Sequence, residues 1–148
     1  MINLSDIIDT TIDNPMLIST NDQYMHPVRK CKDGKYRSYF CKSPALKELQ
    51  DFYKDILLKN ISDDIVSEIQ ESVNNGKCLS VKFKLHVPSK EFYDHDASNF
   101  IKALEDCLSS RIGVDDSRNS HVSIKKIVSP DDIWRLNISV TIVEKEMG

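Results

Sequence analysis

The chain has 148 residues, enough for one hydrophobic core and short for two ordinary domains. A hydrophobic fraction of 40% with 29% charged residues excludes a disordered chain, and no apolar run approaches the ~18 residues of a membrane span, so no membrane partner is expected. The net charge of −3 excludes a uniformly basic nucleic-acid coat, but the charge is segregated: Arg29, Lys30, Lys32, Lys35, Arg37 and Lys42 crowd one stretch opposed only by Asp33, while acidic residues gather at 48–71, 91–96, 105–116 and 131–132.

In chain order, residues 1–27 read as an irregular N-terminal arm. Pro15, Pro27 and "STND" (19–22) favour loop structure, with one short strand around Met16–Ile18. The acidic start "MINLSDIIDTTID" lacks the basic region of a secretory leader. The four cysteines, at 31, 41, 78 and 107, show neither a CxxC pair nor zinc spacing, so reduced thiols and a cytoplasmic location are expected. Residues 28–42, "VRKCKDGKYRSYFCK", form a basic loop or hairpin whose "KDGK" turn uses Gly34 at positive φ.

A first helix follows, capped by Ser43 with Pro44 in its first turn, and Leu46, Leu49, Phe52 or Tyr53, Ile56 and Leu57 recur at helical spacing. A second helix is capped by Ser62, carries a stripe of Ile65, Val66, Ile69 and Val73, and stops at Gly76. "KCLSVKFKLHVP" alternates as a half-buried strand: Leu79, Val81, Phe83, Leu85 and Val87 face one side, and Pro88 ends it. A third helix is predicted over Asp96–Ser110. Strands at 121–128 and 134–143 then form a hairpin about the "SPDD" turn, 129–132. The fold class is α/β in the α+β sense: one 1–148 domain with a small mixed β-sheet and helices on one face. The polar strand faces leave one open side of the sheet, or a dimer surface.

The stretch "DHDASNF" (94–100) places Asp94, His95 and Asp96 at a helix start, where a cap needs only one carboxylate. On a helical wheel Phe100, Leu104, Cys107 and Leu108 fall on a core side, and Asp96, Asn99, Lys102 and Asp106 on the opposite side. The plain alternative is a solvated face with an ordinary i,i+4 pair between Lys102 and Asp106. Against it stands "RIGVDDSRN", where Asp115 and Asp116 follow a helix-ending Gly113 just before a strand. Carboxylates from a helix start and a loop can converge at a sheet edge and hold a hard divalent cation. Such an ion supports phosphodiester cleavage, with a nearby lysine neutralising charge on the phosphate. Asp96, Asp115 and Asp116 are the preferred metal ligands, with Asp94 as a further one. His95 is set aside, because Mg²⁺ prefers oxygen.

The segment "DASNFIKALEDCLSSRIGVDDSRN" resembles the core motif of RusA-type Holliday junction resolvases. That family carries an Asp-x-Asp-Asn-x-x-Lys helix start, an aspartate in the helix, and an Asp-Asp pair before a strand. Asp96 matches the first aspartate, Asn99 and Lys102 match the Asn and Lys, Asp106 matches the helix aspartate, and Asp115–Asp116 match the pair. Ser98 stands where the family has its second aspartate, which leaves a metal one carboxylate short; Asp94 restores a DxD spacing with Asp96, but upstream. The resemblance covers about two thirds of the chain well and the N-terminal third loosely.

It implies a homodimer that binds four-way DNA junctions and nicks two opposed strands with Mg²⁺ or Mn²⁺, in DNA recombination and repair, often from a phage or prophage. Asp96, Lys102, Asp115 and Asp116 would be catalytic. Arg29, Lys30, Lys32, Lys35, Arg37, Asn99 and Lys102 would face DNA, with Tyr36, Tyr39 and Phe40 interleaved among the charges. The alternative is a branched-DNA-binding module of the same fold, weakened in catalysis by Ser98.

Overall fold

The computed structural model describes residues 5–19, 24–25, 28–38 and 41–148. In chain order the elements are β1 (Ile8–Asp13), β2 (Tyr24–Met25), β3 (Val28–Lys30), β4 (Tyr36–Ser38), β5 (Cys41–Lys42), α1 (Pro44–Asn60), α2 (Asp63–Asn74), β6 (Cys78–Pro88), α3 (Ile101–Ile112), β7 (Asn119–Ser129) and β8 (Arg135–Val143).

The strong alternation of β6 makes it an inner strand. Leu79, Val81, Phe83, Leu85 and Val87 are all buried, while Lys82 and Lys84 between them are exposed. Both of its edges are paired. The main sheet has four strands in the order β1-β8-β6-β7, with β6 parallel to β7 and antiparallel to β8, and β8 antiparallel to β1. The apolar sheet face joins α1, α2 and α3 in one core that includes Leu49, Tyr53, Leu57, Ile69, Leu104, Leu108 and Ile112. The fold is thus a mixed α+β sheet with three helices. Among the described residues no helix is long and apolar enough to cross a membrane.

Three features depart from the sequence-based expectation. First, the segment 121–143 is not a hairpin, because β7 and β8 flank β6 on opposite sides. The most apolar strand takes the centre, and the 130–134 connection passes from one side of it to the other. Asp131 holds that connection through a two-pronged contact with Arg135 at 2.7 and 2.6 Å, and Asp132 adopts φ 59°. Second, the N-terminal arm is not irregular throughout. Its strand is Ile8–Asp13 rather than Met16–Ile18, paired with β8 and burying Ile8 and Ile12. The buried Tyr53 hydroxyl donates to the Met16 carbonyl at 2.7 Å, which fixes the chain after β1 against α1. Third, the third helix starts later than Asp96, as described below.

The basic 28–42 segment contains the expected hairpin: β3 pairs with β4 about a turn in which Gly34 has φ 83°. A second short pair joins β2 to β5. The caps agree with expectation, Ser43 and Ser62 accepting from the N–H groups of Leu46 and Ile65. Cys31, Cys78 and Cys107 are free thiols.

Side chains tie the helix ends to one another. Arg111 of α3 donates to the Leu57 and Ile61 carbonyls at the C-terminal end of α1, at 3.2 and 2.5 Å, and pairs with Asp63 at 3.1 Å. Gln70 of α2 donates to the Ile112 carbonyl at 2.9 Å, satisfying the end of α3. The bonds to the Ile61 and Ile112 carbonyls supply partners that a helix end lacks, whereas the Leu57 carbonyl also accepts from the Ile61 N–H at 2.9 Å. Replacing Arg111 by Met keeps most of the packing but removes the side-chain partner of the Ile61 carbonyl and the second partner of the Leu57 carbonyl. The expected loss is about 1–3 kcal/mol in urea unfolding; an unchanged midpoint would show that the carbonyls find other partners.

Candidate metal centre

The chain enters α3 through a separate turn. Asp96 caps a 3₁₀ turn over Ala97–Asn99, its Oδ1 accepting from the Ser98 N–H at 3.2 Å and the Ser98 hydroxyl at 2.9 Å. Phe100, at φ −102° and ψ −18°, is the N-cap residue, and the α-helix begins at Ile101 without a side-chain cap. A single wheel over 96–110 therefore does not hold. Its core side is as expected, with Phe100, Leu104, Cys107 and Leu108 buried. Its polar side is split: Asp96 and Asn99 belong to the turn, and Lys102 and Asp106 to the helix.

Within α3, Lys102, Glu105 and Asp106 stand at i, i+3 and i+4, the spacings that bring side chains together on one helix surface. Gly113 then reverses the chain in the left-handed region at φ 66°, where a Cβ would also meet the Gln70 amide at 2.6 Å. The buried Val114 anchors the return, and Asp116 arrives over the first turn of the helix just ahead of β7.

The result is a group of carboxylates around one ammonium. Lys102 Nζ lies 2.5 Å from Asp116 Oδ2, 3.1 Å from Asp106 Oδ1 and 3.6 Å from Glu105 Oε1. One oxygen from each of the three carboxylates falls within 4.8 Å of the others. Asn119 donates to Glu105 Oε2 at 3.1 Å, which orients the most buried member. The Asp116 carboxylate, followed by that of Asp106, holds the Lys102 pKa above the ordinary lysine value. The Lys102 side chain is 55% exposed, so solvent screens these pairs and their contribution to folding is small. Among the described residues, Glu105, Asp106 and Asp116 are the group able to hold a metal ion, and the grouping is equally the surround of a lysine.

Of the site residues read from the sequence, Asp116 and Lys102 meet here. Asp115 is not one of these three: its Oδ1 accepts from the Ser117 N–H at 2.8 Å, capping the turn over Asp116–Arg118, while its carboxyl also interacts with that of Asp116. Asp96 is engaged with Ser98. Asp94 is exposed in the preceding turn, its N–H donating to the Glu91 carbonyl at 3.0 Å. His95 packs edge-on against Trp134, with ring centroids 5.2 Å apart. Lys126 of β7 holds this connection by donating to the Phe92 and His95 carbonyls. Glu105 was missed. Its signal in the sequence was the i,i+3 interval from Lys102, masked by its place next to the buried Leu104.

The basic hairpin presents Lys30, Lys32 and Lys35 to solvent, and Tyr36 is 70% exposed. Arg37 is neutralised by Asp33 at 2.7 Å, which also accepts from the Lys35 N–H. The Arg29 side chain, Tyr39 and Phe40 lie outside the described residues. Beside the carboxylates, Lys42, Lys54 and Arg111 line a groove of about 560 Å³ between α1 and α3 that shares Asp106 as a wall. Cys107 also lines it, and burial pushes its thiol pKa up to about 12, so this cysteine is inert at neutral pH. Comparison of the chain with protein-family models and with curated proteins finds no match.

The Asp115 cap gives a pH test of this geometry. The Ser117 N–H, followed by the Ser117 hydroxyl, holds the Asp115 carboxyl below its ordinary value of 3.8. A depressed folded pKa adds stability that is fully present above the ordinary value and lost as pH falls through the folded one. The stability difference between the wild type and Asp115→Ala, read from urea unfolding, is therefore expected to be constant above about pH 5 and to shrink below the ordinary carboxylate range. A difference that grows on acidification would contradict the cap.

Proposed function

We propose that this chain is a metal-dependent endonuclease that resolves four-way DNA junctions by paired symmetric nicks, acting as a homodimer with Mg²⁺ or Mn²⁺ in DNA recombination and repair. One observation carries the reading: Lys102 and Asp116, distant members of the RusA-like motif, meet at 2.5 Å with Asp106 of the same motif beside them.

The donor set fits the ion. Glu105, Asp106 and Asp116 offer only carboxylate oxygens, the ligand type that hard divalent cations take, and they leave room for waters. Bound there, such an ion supplies an activated water and neutralises charge on the scissile phosphate. The protein side of the mechanism is positional. Asn119 keeps Glu105 turned toward the group. Lys102, released from the carboxylates, is within a side chain's reach of a phosphate oxygen beside them and stabilises the charge that builds there. Lys30, Lys32 and Lys35 of the hairpin, with Lys42 and Lys54 along the groove, attract the phosphate backbone. Arg29 and Asn99 remain DNA-contact candidates, and Arg37 is a weaker one because Asp33 already pairs with it.

A second reading is favoured by one specific contact. Ser98 occupies the position of the family's second aspartate and its hydroxyl binds Asp96, whose carboxylate stands apart from the three-carboxylate group. A chain so arranged would bind branched DNA and cut it poorly.

The deciding experiment is nicking of a synthetic four-way junction against a matched linear duplex, with Mg²⁺ or EDTA. Paired, Mg²⁺-dependent cuts on the junction are expected, falling on the order of 10²-fold or more in Asp116→Asn and Glu105→Gln. Cutting that is unchanged in Asp116→Asn would overturn the site. Tight junction binding without cuts, with activity gained by Ser98→Asp, would establish the second reading. Binding itself is expected to weaken with salt. Replacing Lys30, Lys32 and Lys35 together by Ala should reduce the slope of log K against log salt by roughly 2–3 if all of them meet phosphates. An unchanged slope would place the DNA elsewhere.

A further inference from the structure

A further cavity shares no residue with the carboxylate group. It has a volume of about 510 Å³ and is walled by Trp134, His95 and Phe100, with Glu91 beside them and Pro15 and Leu17 from the chain after β1. Distant parts of the chain meet there, and each is fastened. The Asn14 N–H donates to the Trp134 carbonyl at 2.8 Å, and the Tyr53 hydroxyl holds the Met16 carbonyl. Trp134 Nε1 donates to Glu91 Oε2 at 3.0 Å. Lys126 holds the Phe92 and His95 carbonyls, and Phe100 is buried. The walls are therefore set before any ligand arrives.

The lining differs in charge from the other hollows of the surface. The groove between α1 and α3 carries Lys42, Lys54 and Arg111, and a hollow at one end of the sheet carries Lys82 and Lys145. This pocket has no lysine or arginine among its described lining residues, and it has one carboxylate. Glu91 makes no ion pair with any described residue. Among those residues its carboxylate accepts only from the neutral indole, through one oxygen of a group with about four acceptor sites. Such a lining disfavours an anion and attracts a cation.

The rings select the kind of cation. His95 and Trp134 meet at 78° with centroids 5.2 Å apart, and Phe100 is inclined to His95 at 44° with centroids 6.3 Å apart. A flat base is held best between parallel faces, which these rings do not offer. Inclined rings in contact form a corner. Beside a carboxylate, such a corner suits a rounded alkylammonium, because the ring faces attract its charge and its methyl groups fill the apolar angle.

We propose that this pocket binds a methylated ammonium group, carried either by a free choline-type molecule or by a methylated lysine side chain. Trp134, His95 and Phe100 supply the walls, and Glu91 supplies the counter-charge. The volume exceeds that of a trimethylammonium head, which leaves room for its stem along Pro15 and Leu17.

Trp134 is the only tryptophan of the chain, so its fluorescence reports this pocket directly. The test titrates the full chain with choline at constant ionic strength and about pH 8, where imidazole is neutral and carboxylates are ionised. A saturable change with a Kd on the order of 1 mM is expected. The uncharged analogue of choline, with a tert-butyl group in place of trimethylammonium, should bind roughly tenfold more weakly. Glu91→Gln keeps an acceptor for the indole and removes the charge, and it should weaken choline by a similar factor, with far-UV circular dichroism confirming the fold. Tighter binding of a trimethyllysine peptide than of choline would assign the group to a protein, and the reverse to a free molecule. No saturable response to either ligand would overturn the proposal. So would equal binding of the uncharged analogue, a comparison that needs only the wild type, or unchanged choline binding in a folded Glu91→Gln. A response to nucleosides at lower concentrations than to choline would also overturn it and make this a pocket for a base. None of these outcomes depends on nicking activity.

Discussion

The structure depends on the burial of one face of β6. Leu79, Val81, Phe83, Leu85 and Val87 are each 0–1% exposed, and an 11-residue strand of this kind leaves a long ladder of N–H and C=O groups on each edge. Both edges must be paired, and the chain pairs them differently. β8 returns antiparallel on one side, while β7 runs parallel on the other, which demands a crossover. That crossover contains α3. The position of the candidate site follows from it: the chain must leave α3 through the reversal at Gly113 and re-enter the sheet at Asn119, and Asp116 sits on that path, above the Lys102 turn of the helix.

The electrostatics of the site follow from the same path. Three carboxylates held within 4.8 Å repel one another unless a cation sits among them, and in this chain the cation is the Lys102 ammonium. The pairs are solvent-screened, so they add little to folding. What they do provide is a compact set of oxygens with a tethered cation on a flexible stem. A divalent ion would compete with Lys102 for these oxygens and would free the ammonium for an anionic ligand. Two other aspartates of the motif, Asp96 and Asp115, are instead occupied as caps of two 3₁₀ turns.

Much of this was legible in the sequence, and what was not has identifiable causes. The helices α1 and α2 and the strand β6 show strong periodicity with capping serines, and local signals sufficed. Strand β1 has only Ile8 and Ile12 on its buried face, between aspartates, and its identity comes from pairing with β8. The 121–143 hairpin was inferred from adjacency in sequence and a turn-like "SPDD", but partner choice is a tertiary decision that favoured β6. At the site, Asp116 and Lys102 were legible from the motif, whereas the division of the Asp115–Asp116 pair was not. Nothing in the sequence distinguishes a carboxylate that caps its own turn from a neighbour that reaches across to a helix. Glu105 was hidden for a similar reason, since its side chain is half turned toward the core and steered by Asn119.

The most direct measurement is Mn²⁺ binding to the wild type, Asp116→Asn, Glu105→Gln and Asp96→Asn, followed by electron paramagnetic resonance of the free ion. One bound ion per chain is the expected result, weakened on the order of tenfold or more by Asp116→Asn and Glu105→Gln and little affected by Asp96→Asn. Absence of specific binding to the wild type, or loss of binding in Asp96→Asn with retention in Asp116→Asn, would contradict the assignment of the centre to Glu105, Asp106 and Asp116.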